Sequence, residues 1–365
     1  MKIKILKEDL LNGLQTVQSV VSVKTTLPIL MNILLKTSDK ERIKLTATDL
    51  DSGISCLVKC EVLEEGSITI PAKKALDIVK ELPDQPITIT AKKNNMVTIE
   101  CGRSFFKIIG LPETEFPELP SFKDCESIKI PQQLFKEMIN MTCFAVSRDE
   151  ARYILNGIYL IIDNDIRMVA TDGRRLACIT RDFPQQKPET QKKVVIPGKT
   201  VNELIRTLTE TGEVEILFSN NQIIFQLQDT VIISRLIEGE YPDYTQVIPK
   251  EVDNKINIDK EDFLSATRRA GLLTSKSSQA VSINMSKNKM IISKNSPELG
   301  EVKEEIDVKY PGNELNIGFN PSYITDVLKN IKEENITLEL ISPEKPGVIR
   351  TKDRYVYVVL PMQIN

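Results

Sequence analysis

The chain is 365 residues long, has a formal net charge of −3 and contains neither histidine nor tryptophan. The missing histidine excludes Ser-His-Asp and Cys-His catalysis, metal binding through imidazole and the commonest general base. The composition, 41% hydrophobic and 27% charged, is ordinary for a globular protein, and no apolar run reaches the roughly 20 residues that span a bilayer.

Each third of the chain is expected to open with a short strand that leads into an amphipathic helix. The three openings are Lys2–Leu10, Ser127–Phe135 and Lys255–Phe263. Apolar residues at helical spacing predict the first helix over Lys7–Val21, and similar stripes begin at Phe135 and Phe263. Alternating residues then predict strands, which in the first third are Ile33–Lys36, Ile43–Ala47 and Gly53–Val62.

A second strand, turn and helix start recur in every third. The three copies are Ile68–Val79, Val194–Ile205 and Ile317–Leu328, and matched positions are 126 and 123 residues apart. A period of this length is the size of a small domain. The sequence therefore predicts three tandem homologous α+β domains, 1–124, 125–250 and 251–365, each with two helices packed on antiparallel sheets.

Several candidate chemical sites are weak. Pro197–Thr200 looks like the end of a phosphate-binding loop, but Lys193 stands where that loop needs its first glycine. Asp49, Asp51 and Asp172 are better interpreted as turn residues than as metal ligands. The six cysteines are scattered, which is typical of reduced thiols in a cytoplasmic protein. We expect no cofactor, no metal and no catalytic residue.

Cations recur on the predicted helices and at their ends, although the chain is acidic overall. They include Lys73, Lys74, Lys80, Lys136, Arg148, Lys199, Arg206, Arg268, Arg269, Lys329 and Lys332. If the helices face one way, these cations line a surface that holds a DNA backbone by charge without reading bases. Ordinary solvated helix faces remain the alternative.

One cluster of residues in the second third has the composition of a peptide-binding groove. It mixes small, apolar and cationic side chains. Its members are Arg152, Leu155, Thr171, Gly173, Arg174, Arg175 and Leu176. The apolar end of the chain, Val358–Met362, is interpreted most simply as a final core strand.

Motifs along the whole chain together resemble the β sliding clamp family, the processivity subunits of bacterial DNA polymerase III. They are Leu27–Leu30, Thr46–Leu50, Gly102–Ser104, Arg152 with Leu155–Gly157, Ala170–Leu176, Tyr241–Tyr244, Ile317–Asn320 and Val358–Met362. The resemblance implies a head-to-tail homodimer, in which six domains form a ring with helices lining the hole and sheets outside. Duplex DNA would thread this ring.

The resemblance also implies partners and a docking pocket between the second and third domains. The partners would be double-stranded DNA, a second copy of the chain, the polymerase III catalytic subunit, the clamp loader and other proteins with a clamp-binding motif, with no membrane. The implied pocket comprises Arg152, Leu155, Thr171, Gly173, Arg174, Arg175, Leu176, Pro242, Val247, Val358, Val359, Leu360, Pro361 and Met362. Arg152 and Arg175 would hold the peptide at the rim, and Arg174 and Gln246 replace a histidine and an arginine of other members.

Two further sets of residues follow from the same resemblance. The implied DNA-facing residues are Lys24, Lys73, Arg103, Arg148, Lys199, Arg206, Arg268 and Arg269. The implied subunit edges are Lys74, Arg103, Phe106 and Ile108 on the first domain, and Leu272, Leu273, Glu298, Glu301 and Glu304 on the third. Two classes of function stay open at this point, a non-enzymatic DNA clamp, which the residues favour, and an enzyme built on tandem α+β domains.

Overall fold

The computed structural model describes residues 1–22, 25–120, 125–182, 190–250, 255–275, 277–310 and 312–364. Lys24, one of the residues expected to face DNA, lies outside this described part. The α-helices of the described residues are α1 Lys7–Gln18, α2 Ala72–Glu81, α3 Gln132–Asn140, α4 Gly198–Thr207, α5 Lys260–Gly271 and α6 Pro321–Asn330.

The strands fall into three similar series, one for each repeat. In the first repeat they are β1 Lys2–Ile5, β2 Asn32–Thr37, β3 Arg42–Thr48, β4 Ser52–Lys59, β5 Glu61–Glu64, β6 Ser67–Pro71, β7 Ile87–Ala91, β8 Met96–Cys101 and β9 Ser104–Ile109. In the second they are β10 Ser127–Pro131, β11 Gly157–Ile162, β12 Asp165–Thr171, β13 Arg175–Asp182, β14 Lys192–Pro197, β15 Glu213–Phe218, β16 Gln222–Gln226 and β17 Thr230–Arg235. In the third they are β18 Lys255–Asp259, β19 Val281–Ser286, β20 Lys289–Ser296, β21 Gly300–Asp307, β22 Leu315–Phe319, β23 Asn335–Glu339, β24 Gly347–Arg350 and β25 Tyr355–Val359.

The chain divides into two compact units, each with one long and one short sheet. The first unit, Met1–Gln133 with Asn202–Leu236, contains the sheets β5-β1-β7-β8-β9 and β10-β15-β16-β17-β4-β3-β2-β6. The second unit, Leu134–Val201 with Ile237–Asn365, contains β14-β11-β12-β13-β25-β24-β23-β18 and β21-β20-β19-β22. Neighbouring strands pair antiparallel, so the predicted α+β fold with antiparallel sheets is confirmed.

Each long sheet joins strands from two consecutive repeats. In the first unit β17 of the second repeat pairs with β4 of the first, and in the second unit β25 of the third repeat pairs with β13 of the second. These pairings bury apolar residues on both sides of the seam, for example Leu176 at 3% exposure and Val358 at 3%. Repeat junctions are therefore continuous sheet, and the candidate site lies beside the junction in the second unit.

Two predicted elements have different boundaries in the structure. The helix predicted over Lys7–Val21 ends at Gln18. The strand predicted over Gly53–Val62 divides at Cys60, where the chain leaves the partner β3 and β5 pairs instead with β1 in the other sheet. The segment around Pro197 is a strand end followed directly by α4, which is the alternative to a phosphate-binding loop.

Candidate functional site

A tight turn between β12 and β13 borders the candidate site. The Thr171 hydroxyl donates to the Arg175 carbonyl oxygen at 2.6 Å, and Asp172 Oδ1 accepts from the amides of Arg174 at 2.9 Å and Arg175 at 3.1 Å. Gly173 has φ +85°, a left-handed conformation that glycine adopts without steric cost. The Thr-Asp-Gly motif therefore fixes the backbone of this turn, as its interpretation as a turn predicted.

An apolar cavity of about 200 Å³ lies beside this turn, and we call it the apolar pocket. Its lining residues are Leu155, Thr171, Gly173, Arg174, Arg175, Leu176, Pro242, Asp243, Tyr244, Val247, Val358 and Leu360. Because it is smaller than the roughly 300–1,000 Å³ of a typical small-molecule site, it suits one or two apolar side chains of a peptide.

The pocket has a buried floor and an exposed apolar rim. Leu155, Leu176 and Val358 belong to one buried cluster of the second unit. Val247 and Leu360 are 53% and 42% exposed, and the Leu360 amide donates to the Arg174 carbonyl oxygen at 2.9 Å. An exposed apolar rim around a preformed cavity is the signature of a surface that another molecule covers.

The guanidinium of Arg175 is held inside the protein, whereas the family resemblance implied that it holds a peptide at the pocket rim. It forms ion pairs with Asp326 on α6 at 2.8 Å and with Asp172 at 3.1 Å, and it donates to the Phe144 carbonyl oxygen. The guanidinium also lies 4.4 Å from the centre of the Tyr323 ring. Burial alone would lower the pKa of Arg175, but the neighbouring acidic groups raise it, so the group stays charged. Arg175 thus fixes the pocket wall to α6, and its charge is paired inside the protein.

Replacing Arg175 by alanine is expected to destabilise the protein by about 3 kcal/mol. That is the low end for breaking a buried ion pair, because Asp326 keeps access to solvent. Urea unfolding at neutral pH measures the change in the free energy of unfolding, with Arg174→Ala as the matched control at an exposed neighbouring arginine. Equal stability of the two variants would contradict this role for Arg175.

The remaining predicted pocket residues lie around the cavity and do not line it. Arg152 is half exposed at the rim and donates to the Asp172 carbonyl oxygen at 3.4 Å. Val359 is fully buried. Pro361 and Met362 line a separate cavity of about 360 Å³.

Two lining residues, Asp243 and Tyr244, were missing from the predicted pocket. The Tyr244 hydroxyl accepts from Arg167 Nη1 at 3.1 Å, and its ring meets the ring of Tyr159 edge-on. The repeated segment Glu240–Tyr244 was the available sequence signal, since its counterpart recurs at Glu115–Leu119.

The cations expected to face DNA are exposed wherever the structure describes them. They are Lys73, Arg103, Arg148, Lys199, Arg206, Arg268 and Arg269. Arg269 pairs with Glu304 on β21 at 2.6 Å, and Arg206 contacts Glu203 at 3.5 Å. The hydrogen bond from Arg269 lowers the pKa of Glu304, which was expected at a subunit edge. One residue from the DNA-facing set and one from the edge set are therefore partners within a single chain.

The edge strands of the sheets differ in whether another segment of the chain covers them. The edges β6, β14, β18 and β22 each receive an isolated bridge from another segment, whereas β5, β9, β10 and β21 receive none in the described part of the chain. On β9, Phe105 is 60% exposed, Phe106 37% and Ile109 76%. An exposed apolar edge strand is a template for pairing with another chain. Near β21, Leu272 follows α5 and is 77% exposed.

Among the described residues, no helix is long and apolar enough to cross a membrane. Over the same residues, no group of three or more Cys, Asp or Glu side chains is arranged to hold a metal ion.

Comparison with known proteins identifies the family. Models of the N-terminal, central and C-terminal domains of the DNA polymerase III beta subunit match residues 1–120, 129–243 and 245–363. The chain belongs to the DNA polymerase III beta subunit family. The "Beta sliding clamp" of Chlamydia pneumoniae is 32% identical over 366 residues, which is 100% of both chains. The function of this chain is accordingly that of a sliding clamp, a processivity factor of DNA replication.

Solved structures of this family agree over the full length. The DNA polymerase sliding clamp of Bacillus subtilis has a TM-score of 0.94 and 32% identity, covering 100% of both chains. The sliding clamp of Bartonella birtlesii, solved bound to griselimycin, has a TM-score of 0.93 and 31% identity, again covering 100% of both chains. The predicted resemblance and its three-domain fold are thus confirmed.

Proposed function

We propose that two copies of this chain close head to tail around duplex DNA, and that the apolar pocket tethers the polymerase III catalytic subunit, the clamp loader and other partners by an extended peptide. The observation that supports this most directly is the apolar pocket with an exposed apolar rim beside a fixed turn. Family membership supplies the context of DNA replication.

Ring closure would pair β9 of one copy with β21 of the other. Both are edge strands with open hydrogen-bonding groups, and β9 presents exposed Phe105, Phe106 and Ile109. Exposed Leu272 would add apolar area on the opposing edge. Because the two edges belong to different surfaces of one chain, the contact is heterologous and closes only as a ring.

The ring is tested by its topology on DNA. The purified chain, loaded by the clamp loader onto nicked circular DNA, should co-elute with the DNA through a sizing column. Cutting the circle once should release it, because nothing but threading would hold it. Retention on linear DNA with free ends would contradict the ring.

Contact with DNA would be electrostatic and independent of sequence, through the exposed cations on the helices and at their ends. Equilibrium binding to linear duplex is expected to be weak and to fall steeply with salt. Replacing Lys73 and Arg268 by glutamine should reduce the slope of log affinity against log salt by about one for each cation removed. Fluorescence anisotropy across a salt series measures this slope.

A matched control for the DNA experiment is Lys93→Gln, which removes an exposed lysine from the β7–β8 turn. Its salt slope should equal that of the unchanged protein. A preference for one base sequence at fixed salt, or equal slopes in all variants, would contradict this role for the helical cations.

The pocket would raise polymerase processivity by effective concentration. A polymerase that is tethered to a ring on DNA rebinds its primer end before it diffuses away. A modest affinity of each pocket for the docking peptide is enough for this effect. Overlapping peptides that cover the polymerase III catalytic subunit, titrated against the clamp, would identify the docking segment. Primer extension with and without that peptide as competitor then measures how much the tether contributes to processivity.

The chain would act as an accessory subunit in the cytoplasm, without catalysis of its own, since its relatives are clamps of the replicative polymerase. A turnover screen against nucleotides and DNA separates this proposal from the alternative of an enzyme. Sustained product formation by the purified chain would contradict it.

A further inference from the structure

The first unit contains a second copy of the turn that borders the apolar pocket. The Thr48 hydroxyl donates to the Ser52 carbonyl oxygen at 2.8 Å, and Asp49 Oδ1 accepts from the amides of Asp51 at 3.1 Å and Ser52 at 2.7 Å. Leu50 has φ +79° at the position that glycine occupies in the other turn. The two turns therefore share one hydrogen-bonding pattern, 123 positions apart.

The strand beside this turn is repeated as well. The Arg235 amide donates to the Asp51 carbonyl oxygen at 2.8 Å, just as the Leu360 amide donates to that of Arg174 at 2.9 Å. The registers agree, with Gly53 opposite Ile233 on β17 and Leu176 opposite Val358 on β25. We call the region formed by Thr48–Gly53, Ile233–Arg235 and Pro117–Leu119 the counterpart site.

Two of the differences between the counterpart site and the apolar pocket bear on the space at the site. Gly53 stands where the pocket has Leu176, and Leu119 stands where the pocket has Tyr244. A Cβ atom added to Gly53 would lie 2.6 Å from Cδ2 of Leu119. The Leu119 side chain therefore occupies the space that corresponds to the Leu176 side chain in the wall of the apolar pocket.

Tyr244 borders the apolar pocket and is held by contacts with β11 and β12. Its hydroxyl accepts from Arg167 on β12 at 3.1 Å, and its ring packs edge-on against Tyr159 on β11 at 6.5 Å. These contacts keep the ring over β11 and β12. The space beside Leu176 stays open as a consequence.

In the first unit, the space that matches the position of Tyr244 is empty. A cavity of about 460 Å³ lies over β2 and β3, and its lining includes Leu34, Lys44 and Leu119. Leu34 and Lys44 stand where the second repeat has Tyr159 and Arg167. Leucine has no hydroxyl for a cation to hold, so the side chain at this position packs inward onto Gly53. We call this space the outer cavity.

We propose that the counterpart site is a second peptide-binding site closed by the chain's own Leu119, and that Leu119 thereby confines docking to the apolar pocket. The inference rests on the proposed function, because it assigns the same class of ligand, an extended peptide with an apolar anchor. The rim differs in charge. Asp51 and Arg235 stand where the pocket has Arg174 and Leu360. Asp51 and Arg235 also pair with each other at 3.6 Å, so the opened site should bind acidic and basic flanks alike, whereas the apolar pocket should favour an acidic residue beside the anchor.

The test moves the side chain at position 119 from the space beside Gly53 into the outer cavity. In Leu119→Tyr with Lys44→Arg, the new ring enters the outer cavity and the new guanidinium holds its hydroxyl, as in the second unit. Lys44→Arg alone is the matched control. Calorimetry uses two synthetic peptides that share a Leu-Leu pair, flanked by glutamates in one and by lysines in the other.

Wild type and the control should bind one peptide per chain and favour the glutamate-flanked one. The double variant should bind two, with no preference between the flanks at the second site. Adding Val247→Asp and Leu360→Asp, which block the apolar pocket, should leave one site in the double variant and none in wild type. If the double variant does not fold, Leu119→Ala opens the same site and replaces it.

The outcomes separate this inference from the proposed function. One peptide on wild type and one on the opened variant would overturn the inference alone. Two peptides on wild type would also overturn it, because Leu119 would not be closing the site. No peptide on wild type would contradict docking at the apolar pocket, and the opened variant would then still decide the role of Leu119.

Discussion

Replacing Val247 and Leu360 together by aspartate is expected to weaken peptide docking by roughly 100-fold or more. Each side chain contributes about 1.5–3 kcal/mol to the binding free energy when a ligand buries it. An aspartate at the same position would remove that contribution and place a charge in an apolar contact. The fold should tolerate both changes, because the two residues are 53% and 42% exposed. Calorimetry with the docking peptide measures the affinity, and primer extension measures the loss of polymerase stimulation.

The matched control is Leu63→Asp, which places the same charge at an apolar residue of β5 that is 49% exposed. It should bind the peptide with unchanged affinity. Unchanged affinity in the Val247 and Leu360 variant as well would remove the pocket from partner docking. Loss of helix and sheet signal in circular dichroism would indicate unfolding, and then Val247→Ala with Leu360→Ala would decide the question.

The C-terminal segment gives a second test of how far the docking surface extends. The sequence predicted that Met362 forms a pocket wall, whereas the structure places it at a separate cavity with Ile317 and Gly318, and its amide donates to the Gly318 carbonyl oxygen at 2.8 Å. Deleting Met362–Asn365 should therefore leave the fold and the apolar pocket in place. We expect a smaller loss of affinity than in the aspartate variant, measured with the same peptide.

The repeat made the fold predictable, and local motifs made part of the pocket predictable. Strand, turn and helix signals recur in every third, so one correct assignment supported the other two. Thr171–Gly173 could be interpreted as a turn because threonine and aspartate side chains form hydrogen bonds with the nearby backbone and glycine adopts a positive φ without steric cost. A short-range rule of this kind needs no knowledge of the rest of the fold.

Features that depend on distant residues could not be predicted from the sequence. Arg175 was expected at the pocket rim, but its partners Asp326 and Phe144 come from other parts of the chain and hold it inside. The pairing of β25 with β13 joins two repeats into one sheet, and no periodicity within a repeat indicates it. The repeated segment Glu240–Tyr244 marked the position of Tyr244, but its hydrogen bond could not be predicted, since the partner Arg167 is 77 residues away.

Truncating Leu272 and Leu273 to alanine is expected to convert the dimer to monomer at low micromolar concentration. Leu272 is 77% exposed, which leaves its side chain available to a partner. Losing both leucines should cost about 3 kcal/mol at one interface. A head-to-tail ring of two copies has two identical interfaces, so the loss counts twice and raises the dissociation constant by roughly 10⁴-fold. Sedimentation velocity over a dilution series measures that constant.

Leu6→Ala is the matched control, because Leu6 is 58% exposed and lies outside both proposed edges. It should sediment as the unchanged protein does at every concentration. On the other edge, Phe106→Ala should also raise the dissociation constant, since β9 is the proposed partner of β21. The loss again counts at both interfaces of the ring. A stable dimer in both the leucine and the phenylalanine variants would contradict this interface, because apolar contacts at the two edges cannot both be dispensable to a ring that they close.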